Sequence, residues 1–401
     1  MKELTLAEWE EKYVTGQIDR FDQKNTMFRR VTWDPGIMNI LEDWSYTSEV
    51  KQKPGYTLKE QALRWGARRG TDMGLFNTHK PNPSPQSLKI ATVMAKRSPS
   101  GIDGIYQPLE GERIDITDSK QIANEIKKVA SFFGADLVGI CELDRRLVYS
   151  HSHFNGPDGP IYKPQEIPEE YKYAVVMGFE EDYTLLKYFP TYIADAAIGM
   201  GYSRMAITNA YLSTFIRHLG FKVIDCTTND VALSIPMAMQ AGLGDLGRNG
   251  ILITPKFGPR LRLSKVITDL PLVPDAPIDF GVTEFCGVCA KCADYCPSQA
   301  IMTDTERTSE VHNISNMSGA LKWPVDAEKC RTYWGRMGKG CTVCISVCPF
   351  NKDMTGWFHR LVRWSVDHAR WADSLYARLD DWFGYGKPKK ADDFWMEWQS
   401  R

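Results

Sequence analysis

Cys286-Gly-Val-Cys289-Ala-Lys-Cys292-Ala-Asp-Tyr-Cys296-Pro297 is the stretch on which the reading of this chain turns. Gaps of two, two and three residues closed by proline form the run that ligates [4Fe–4S] clusters in bacterial ferredoxins. A second half follows: Cys330, then Cys341-Thr-Val-Cys344-Ile-Ser-Val-Cys348-Pro349. Two-residue gaps let three thiolates curl around one cubane, and the fourth cysteine of such a run projects to the neighbouring cluster. The spacing therefore assigns Cys286, Cys289, Cys292 and Cys348 to one cluster and Cys330, Cys341, Cys344 and Cys296 to the other. The ten-residue gap after Cys330 departs from the compact spacing. A zinc ribbon needs four thiolates, not eight with two Cys-Pro endings. These residues move single electrons.

Eight of the ten cysteines fall in this segment; Cys141 and Cys226 stand apart and read as small buried residues. Length sets the wider frame, since 401 residues suggest two or three domains at ~150 residues each. A net charge of −1 gives no electrostatic case for nucleic acid or an anionic membrane. No apolar run approaches the ~18 residues of a spanning helix. Nor does Met1-Lys-Glu-Leu open a signal peptide, and Arg29-Arg30, followed by Val-Thr-Trp-Asp-Pro-Gly, reads as a surface pair. Either the protein is cytoplasmic or the sequence is a mature form whose export signal has been removed.

Working outward, Pro271-Leu-Val-Pro-Asp-Ala-Pro277 links the cysteine segment to what precedes it. There, strand and helix signals alternate. Asp118 is a predicted N-cap for a helix through Ile122, Ile126 and Val129, closed by Gly134. Ala135–Ile140 and Tyr173–Phe179 are short apolar runs of buried strands; a long helix over 191–219 ends at Gly220, with a strand from Phe221. Pro236–Leu246 reads as a short helix, and strands follow at Gly250–Thr254 and Arg260–Thr268. The fold class is α/β (α+β), with a ferredoxin-like two-cluster domain appended. Boundaries fall at 1–110 (loop-rich, with the connector Lys80-Pro-Asn-Pro-Ser-Pro85), 111–280 (core), 281–355 (clusters) and 356–401 (tail). In the tail, Trp357, Trp364 and Trp371 recur every seven residues on one helical face. Two clusters need only about sixty residues, so the larger body is where electrons are delivered to chemistry. Gly242-Leu-Gly-Asp-Leu-Gly247 fits G-x-G-x-x-G, but it follows a helix and opens into a strand, which is wrong for a dinucleotide site.

The string Ser234–Pro259, continued by Arg260-Leu-Arg-Leu-Ser-Lys-Val-Ile-Thr, by Asp279-Phe-Gly-Val-Thr-Glu-Phe-Cys286 and by both cysteine motifs, resembles the corrinoid-dependent reductive dehalogenases. The resemblance covers roughly residues 110 to 355 and looks most like the respiratory enzymes acting on small chlorinated alkanes. It implies a cobalamin held base-off between the N-terminal region and a nitroreductase-like core. In agreement, the Asp-x-His-x-x-Gly signature of other B12 enzymes is absent; Asp367-His368 lacks its continuation. The resemblance places Ser234, Gly242, Gly244, Gly247 and Asn249 at the corrinoid, the glycines approaching through backbone N–H groups.

It also implies Tyr202 as proton donor, Arg262 as the basic residue beside it, with Arg260 and Lys265 as alternatives, and Asn229 as an active-site amide. Such chemistry asks for these types. Reductive cleavage of a carbon–halogen bond leaves carbanion character that takes a proton; a phenol donates one, and a cation stabilises the phenolate. The implied partners are a small organohalide, an electron donor (quinone-linked or ferredoxin-type) and a small membrane-anchor protein, with a homodimer as a further option. If a signal was trimmed, the implied place is the outer face of the cytoplasmic membrane. Two rivals remain. The related cobalamin reductase of epoxyqueuosine in tRNA is disfavoured by the neutral charge and the Trp-rich tail. A non-catalytic electron-transfer subunit leaves Tyr202, Asn229 and Arg262 without a purpose.

Overall fold

Tyr173–Glu180 shows why this chain builds a sheet between two apolar layers. Ala174 and Val176 join Cys141, Leu261, Ile267, Met237 and Ala238 on one side. Val175, Met177 and Phe179 join Ile122, Ile126, Met205, Leu212 and Val266 on the other. Successive strand side chains alternate faces, so a strand covered on both reads as one continuous apolar run.

The computed structural model describes residues 1–38, 53–72, 113–156 and 159–354, and in the tail 356–357, 359–360, 366 and 373–398. Its central sheet holds β1 (Leu137–Glu142), β2 (Tyr173–Glu180), β3 (Val223–Cys226) and β4 (Leu261–Thr268), ordered β1-β2-β4-β3. Every neighbouring pair is antiparallel. Strands and helices alternate along the chain, but around an antiparallel sheet. Edge strand β3 stops at Cys226, opposite Lys265, so among the described residues no strand lies beside residues 261–264 of β4 on that flank.

Helices cover both faces. The described helices include α1 (Leu6–Tyr13), α2 (Leu58–Asp72), α3 (Ser119–Phe132), α4 (Tyr192–His218), α5 (Ser234–Gln240) and, in the cysteine segment, α6 (Ala327–Met337). Asp118 caps α3 by accepting from the N–H groups of Lys120 and Gln121. Together α3 and α4 cover one face of the sheet, while α5 covers the other. The predicted helix over 236–246 is instead Ser234–Gln240. Gly242, at φ 71°, takes the left-handed conformation that ends a helix. The strand expected at 250–254 is only Leu252–Ile253, paired with Asp245–Leu246.

The N-terminal residues share this core. Lys2–Glu3 pairs with Ile278–Asp279, and Trp9 and Tyr13 of α1 bury beside α5. The connector at 80–85, Trp364 and Trp371 lie outside the described residues. Trp357 is exposed. At the end of the tail, Trp395 donates to Glu60 Oε1 at 2.6 Å and Phe394 packs edge-on against Tyr188, fastening the tail to α2 and the core.

Candidate active site and metal centres

The eight clustered cysteines separate into two groups. Cys286, Cys289, Cys292 and Cys348 line one pocket, together with Arg248 and Asn249. Of the remaining four, Cys296, Cys330 and Cys341 lie about Cys344. Its thiol is pushed well up by burial first, then by Cys341, Cys330 and Cys296, with Cys348 after them. Burial, then Cys286, Cys348, Cys344 and Cys289, push the Cys292 thiol up, and Cys344 packs against the apolar cluster that holds Cys292, where the two groups meet. Four thiolates on one zinc, each bonded at ~2.3 Å, crowd within about 4 Å of one another. No group of three or more His, Cys, Asp or Glu among the described residues is close enough to hold one such ion. Two sets of thiols, one buried and one half-buried, suit a larger, positively charged group that holds them as thiolates.

Beyond the pockets, α4 crosses β4 at Tyr202 and Arg262. The guanidinium lies 5.2 Å from the centre of the Tyr202 ring. Arg262 Nε is 2.7 Å from Oε1 of Glu181, which is fully buried just past the end of β2. Burial opposes the charge on Arg262, but Glu181 and Tyr202 outweigh it, and its pKa is raised. Burial pushes the Glu181 carboxyl up, with Arg262 pulling the other way. Gly201 permits the crossing, since a Cβ there would sit 2.9 Å from Arg262 Cγ. The Tyr202 hydroxyl makes no hydrogen bond among the described residues. A half-buried phenol with an open valence beside a fixed cation is what proton donation requires.

The alternatives to Arg262 are engaged elsewhere. Arg260 pairs with Glu180 at 3.0 Å and donates to Asn351 Oδ1 and two carbonyls. Lys265 is three positions from Arg262, and so on the opposite face of β4. Fully buried, its ammonium donates to Thr228 O at 2.9 Å and Ser234 Oγ at 3.0 Å. Ser234 donates onward to Asn229 Oδ1 at 2.8 Å. The serine proton has a second acceptor in Thr228 O at 3.4 Å, and the shorter bond to Asn229 turns the asparagine oxygen inward and its NH₂ outward. Asn229 is exposed in the turn after β3. No direct contact among the described residues joins it to Tyr202 or Arg262.

In the glycine-rich stretch the close backbone approaches that the structure shows are to protein. Gly242 and Gly247 spend their N–H groups on Met239 O and Ile251 O. A Cβ on Gly244 would lie 2.1 Å from Ile253 O, so the close approach is to protein. Asn249 borders the first cysteine pocket and reaches Cys344 O at 3.5 Å, while Ser234 is tied to Lys265 and Asn229. This loop faces the cysteines because its short hairpin packs against them.

Comparison with known proteins fits the geometry. The 4Fe-4S double cluster binding domain family matches residues 285–351. The tetrachloroethene reductive dehalogenase of Sulfurospirillum multivorans is 40% identical over 304 residues, covering 70% of this chain and 60% of that protein. Over that span the chain belongs to the reductive dehalogenase family. A solved reductive dehalogenase, described with a mechanism for B12-dependent dehalogenation, superposes with a TM-score of 0.70 at 23% identity. It covers 96% of this chain and 49% of its own. An epoxyqueuosine reductase of Lactococcus garvieae is more distant: 30% identity over 128 residues, 32% of this chain and 34% of that protein. The chain thus spans about three fifths of the length of the Sulfurospirillum relative.

Against the family's double-cluster domain, two residues missed in the sequence gain meaning. Glu181 was legible only as one of three acids, Glu180-Glu181-Asp182, closing an apolar strand. Asp195, fully buried on α4, pairs with Arg64 and with Arg68 at 3.0 Å and accepts the Gly340 N–H at 3.2 Å. It thereby ties α2 and α4 of this reductive dehalogenase relative to the residue before Cys341.

Proposed function

We propose that this chain is a cobalamin-dependent reductive dehalogenase of small organohalides. The observation that carries the reading is Arg262, held by Glu181 against the ring of a Tyr202 whose hydroxyl has no hydrogen bond among the described residues. The overall reaction takes R–X, two electrons and one proton to R–H and halide. Cys286, Cys289, Cys292 and Cys348 would hold one [4Fe–4S] cluster, and Cys296, Cys330, Cys341 and Cys344 the other. When bound, the clusters supply single electrons and the cobalamin supplies the strongly reducing centre for the carbon–halogen bond.

The protein's own residues do the rest. Tyr202 gives the proton from its hydroxyl, and Arg262 stabilises the phenolate left behind. Glu181 holds Arg262 in place. Asn229 offers its outward NH₂ to the corrinoid or the substrate. The second cysteine group is the inner one: Asp195, which grips Gly340, sits seven residues before Tyr202 on α4, about 10 Å along the axis. The Sulfurospirillum relative is named for tetrachloroethene, which moves the first substrate from chlorinated alkanes to chlorinated ethenes. On the same reading the protein sits peripherally on the outer face of the cytoplasmic membrane, beside a small anchor protein. No described helix is long and apolar enough to cross it.

The test is anaerobic halide release from chlorinated ethenes and alkanes, with reduced viologen as donor and protein shown to contain iron and cobalt. Release from a chlorinated ethene is expected. No release from any organohalide by fully loaded protein overturns the reading, and turnover of an epoxyqueuosine-bearing tRNA stem-loop would put the rival in its place.

A further inference from the structure

Arg248 belongs to the glycine-rich stretch, and its side chain reaches into the cysteine segment. Only 1% of it is exposed. Its Nε and Nη2 donate to Cys286 O at 2.9 and 2.6 Å, and Nη1 donates to Met302 O at 2.9 Å and Asp304 O at 2.5 Å. The guanidinium also lies 4.6 Å from the centre of the Trp323 ring. Every one of these partners is a neutral carbonyl or a ring. Among the described residues Arg248 has no carboxylate partner.

A buried charge without a counter-charge is costly, and hydrogen bonds to carbonyls satisfy its protons without cancelling it. The missing anion has one address, because Arg248 lines the pocket of Cys286, Cys289, Cys292 and Cys348. A [4Fe–4S] core of charge +2 with four thiolates carries −2, and −3 once reduced. The other cations of this region are partly cancelled, since Lys291 and Lys352 share Asp380. A fixed cation in a low-dielectric site favours the more negative state of whatever it faces.

We propose that Arg248 sets the reduction potential of the cluster held by Cys286, Cys289, Cys292 and Cys348, raising it by acting as its uncompensated counter-charge. The inference rests on the two-cluster reading. Arg248 is a tuning residue; it transfers no electron or proton.

The test is an EPR-monitored redox titration of the reconstituted full chain, with iron measured for every variant. Arg248→Gln is expected to lower one of the two midpoint potentials by at least tenfold in the one-electron equilibrium, about 59 mV. The other potential stays put, and Arg248→Lys, which keeps the charge, holds the first near its native value. Should Arg248→Gln fail to retain iron, Met302→Glu places a carboxylate beside an intact Arg248 and is expected to lower the same potential. Native potentials in iron-loaded Arg248→Gln, or in iron-loaded Met302→Glu, overturn the proposal. Equal falls at both clusters overturn it too, showing general loosening. A native chain that binds no iron fails earlier, at the two-cluster reading itself.

Discussion

Glu181 and Lys265 are buried ionisable groups that aim other residues, and each predicts an outcome. Replacing Glu181 with Gln removes the charge that fixes Arg262 over Tyr202. Turnover is expected to fall about 10- to 100-fold, the usual cost of misplacing a group near the chemistry by an ångström. Iron content and substrate KM should hold, which steady-state kinetics on metal-quantified protein would check. Lys265→Met removes the donor that holds Ser234 Oγ and so loosens the hydrogen bond that orients Asn229. Combining Lys265→Met with Asn229→Ala should then cost no more activity than Asn229→Ala alone; additive losses would show that the two act separately. Tyr202 and Arg262 were legible in the sequence through their flanking strings. Glu181 and Asp195 were not, because nothing local shows which acid of a polar run ends up buried opposite an arginine.

At the scale of elements, the crossing of α4 over β4 carries the site. Gly201→Ala would put a methyl 2.9 Å from Arg262 Cγ, and the arginine cannot yield because Glu181 grips its far end. We expect a stability loss of about 1–3 kcal/mol in chemical denaturation, typical of overpacking, together with reduced turnover. The loop leading to Trp323 offers a pH test. Lys322 donates to Met317 O at 2.8 Å, and burial lowers its pKa to about 8. In the unfolded chain a lysine keeps its proton to about 10.4. Between those values the unfolded state binds more protons, so this group's contribution to stability rises with pH. Lys322→Met should therefore stabilise the protein at pH 7, with the gain shrinking toward pH 10; a pH series of denaturant midpoints would show it. Most elements were readable from apolar runs and caps, such as Asp118 before α3. The antiparallel order was not, since pairing is decided by contacts far apart in sequence, and the helix over 236–246 stopped early because Gly242 sits left-handed.

For the whole molecule, the cysteine economy is the broadest consequence. Burial pushes the Cys141 and Cys226 thiols up to about 12, so neither carries appreciable thiolate at pH 8. With the other eight committed to two clusters, a thiol-specific reagent should modify none in the loaded native protein. It should modify all ten after unfolding and metal removal. Raised thiol pKa values also mean the folded state holds these protons more tightly, so this part of the stability falls as pH climbs from about 9 to 12. The cluster-type cysteine spacing was legible in the sequence, whereas the glycine-rich loop was harder to read, because its shape suits a cofactor as well as it suits the cysteine segment. The central claim joins that metal segment to the Tyr202 site in one electron-consuming reaction. Its most direct test is the rate of halide release by Tyr202→Phe against native protein, both carrying full iron and cobalt. The account predicts a loss of about 10²- to 10⁴-fold, the range of general acid catalysis. Equal rates would remove Tyr202 from the chemistry and contradict the account.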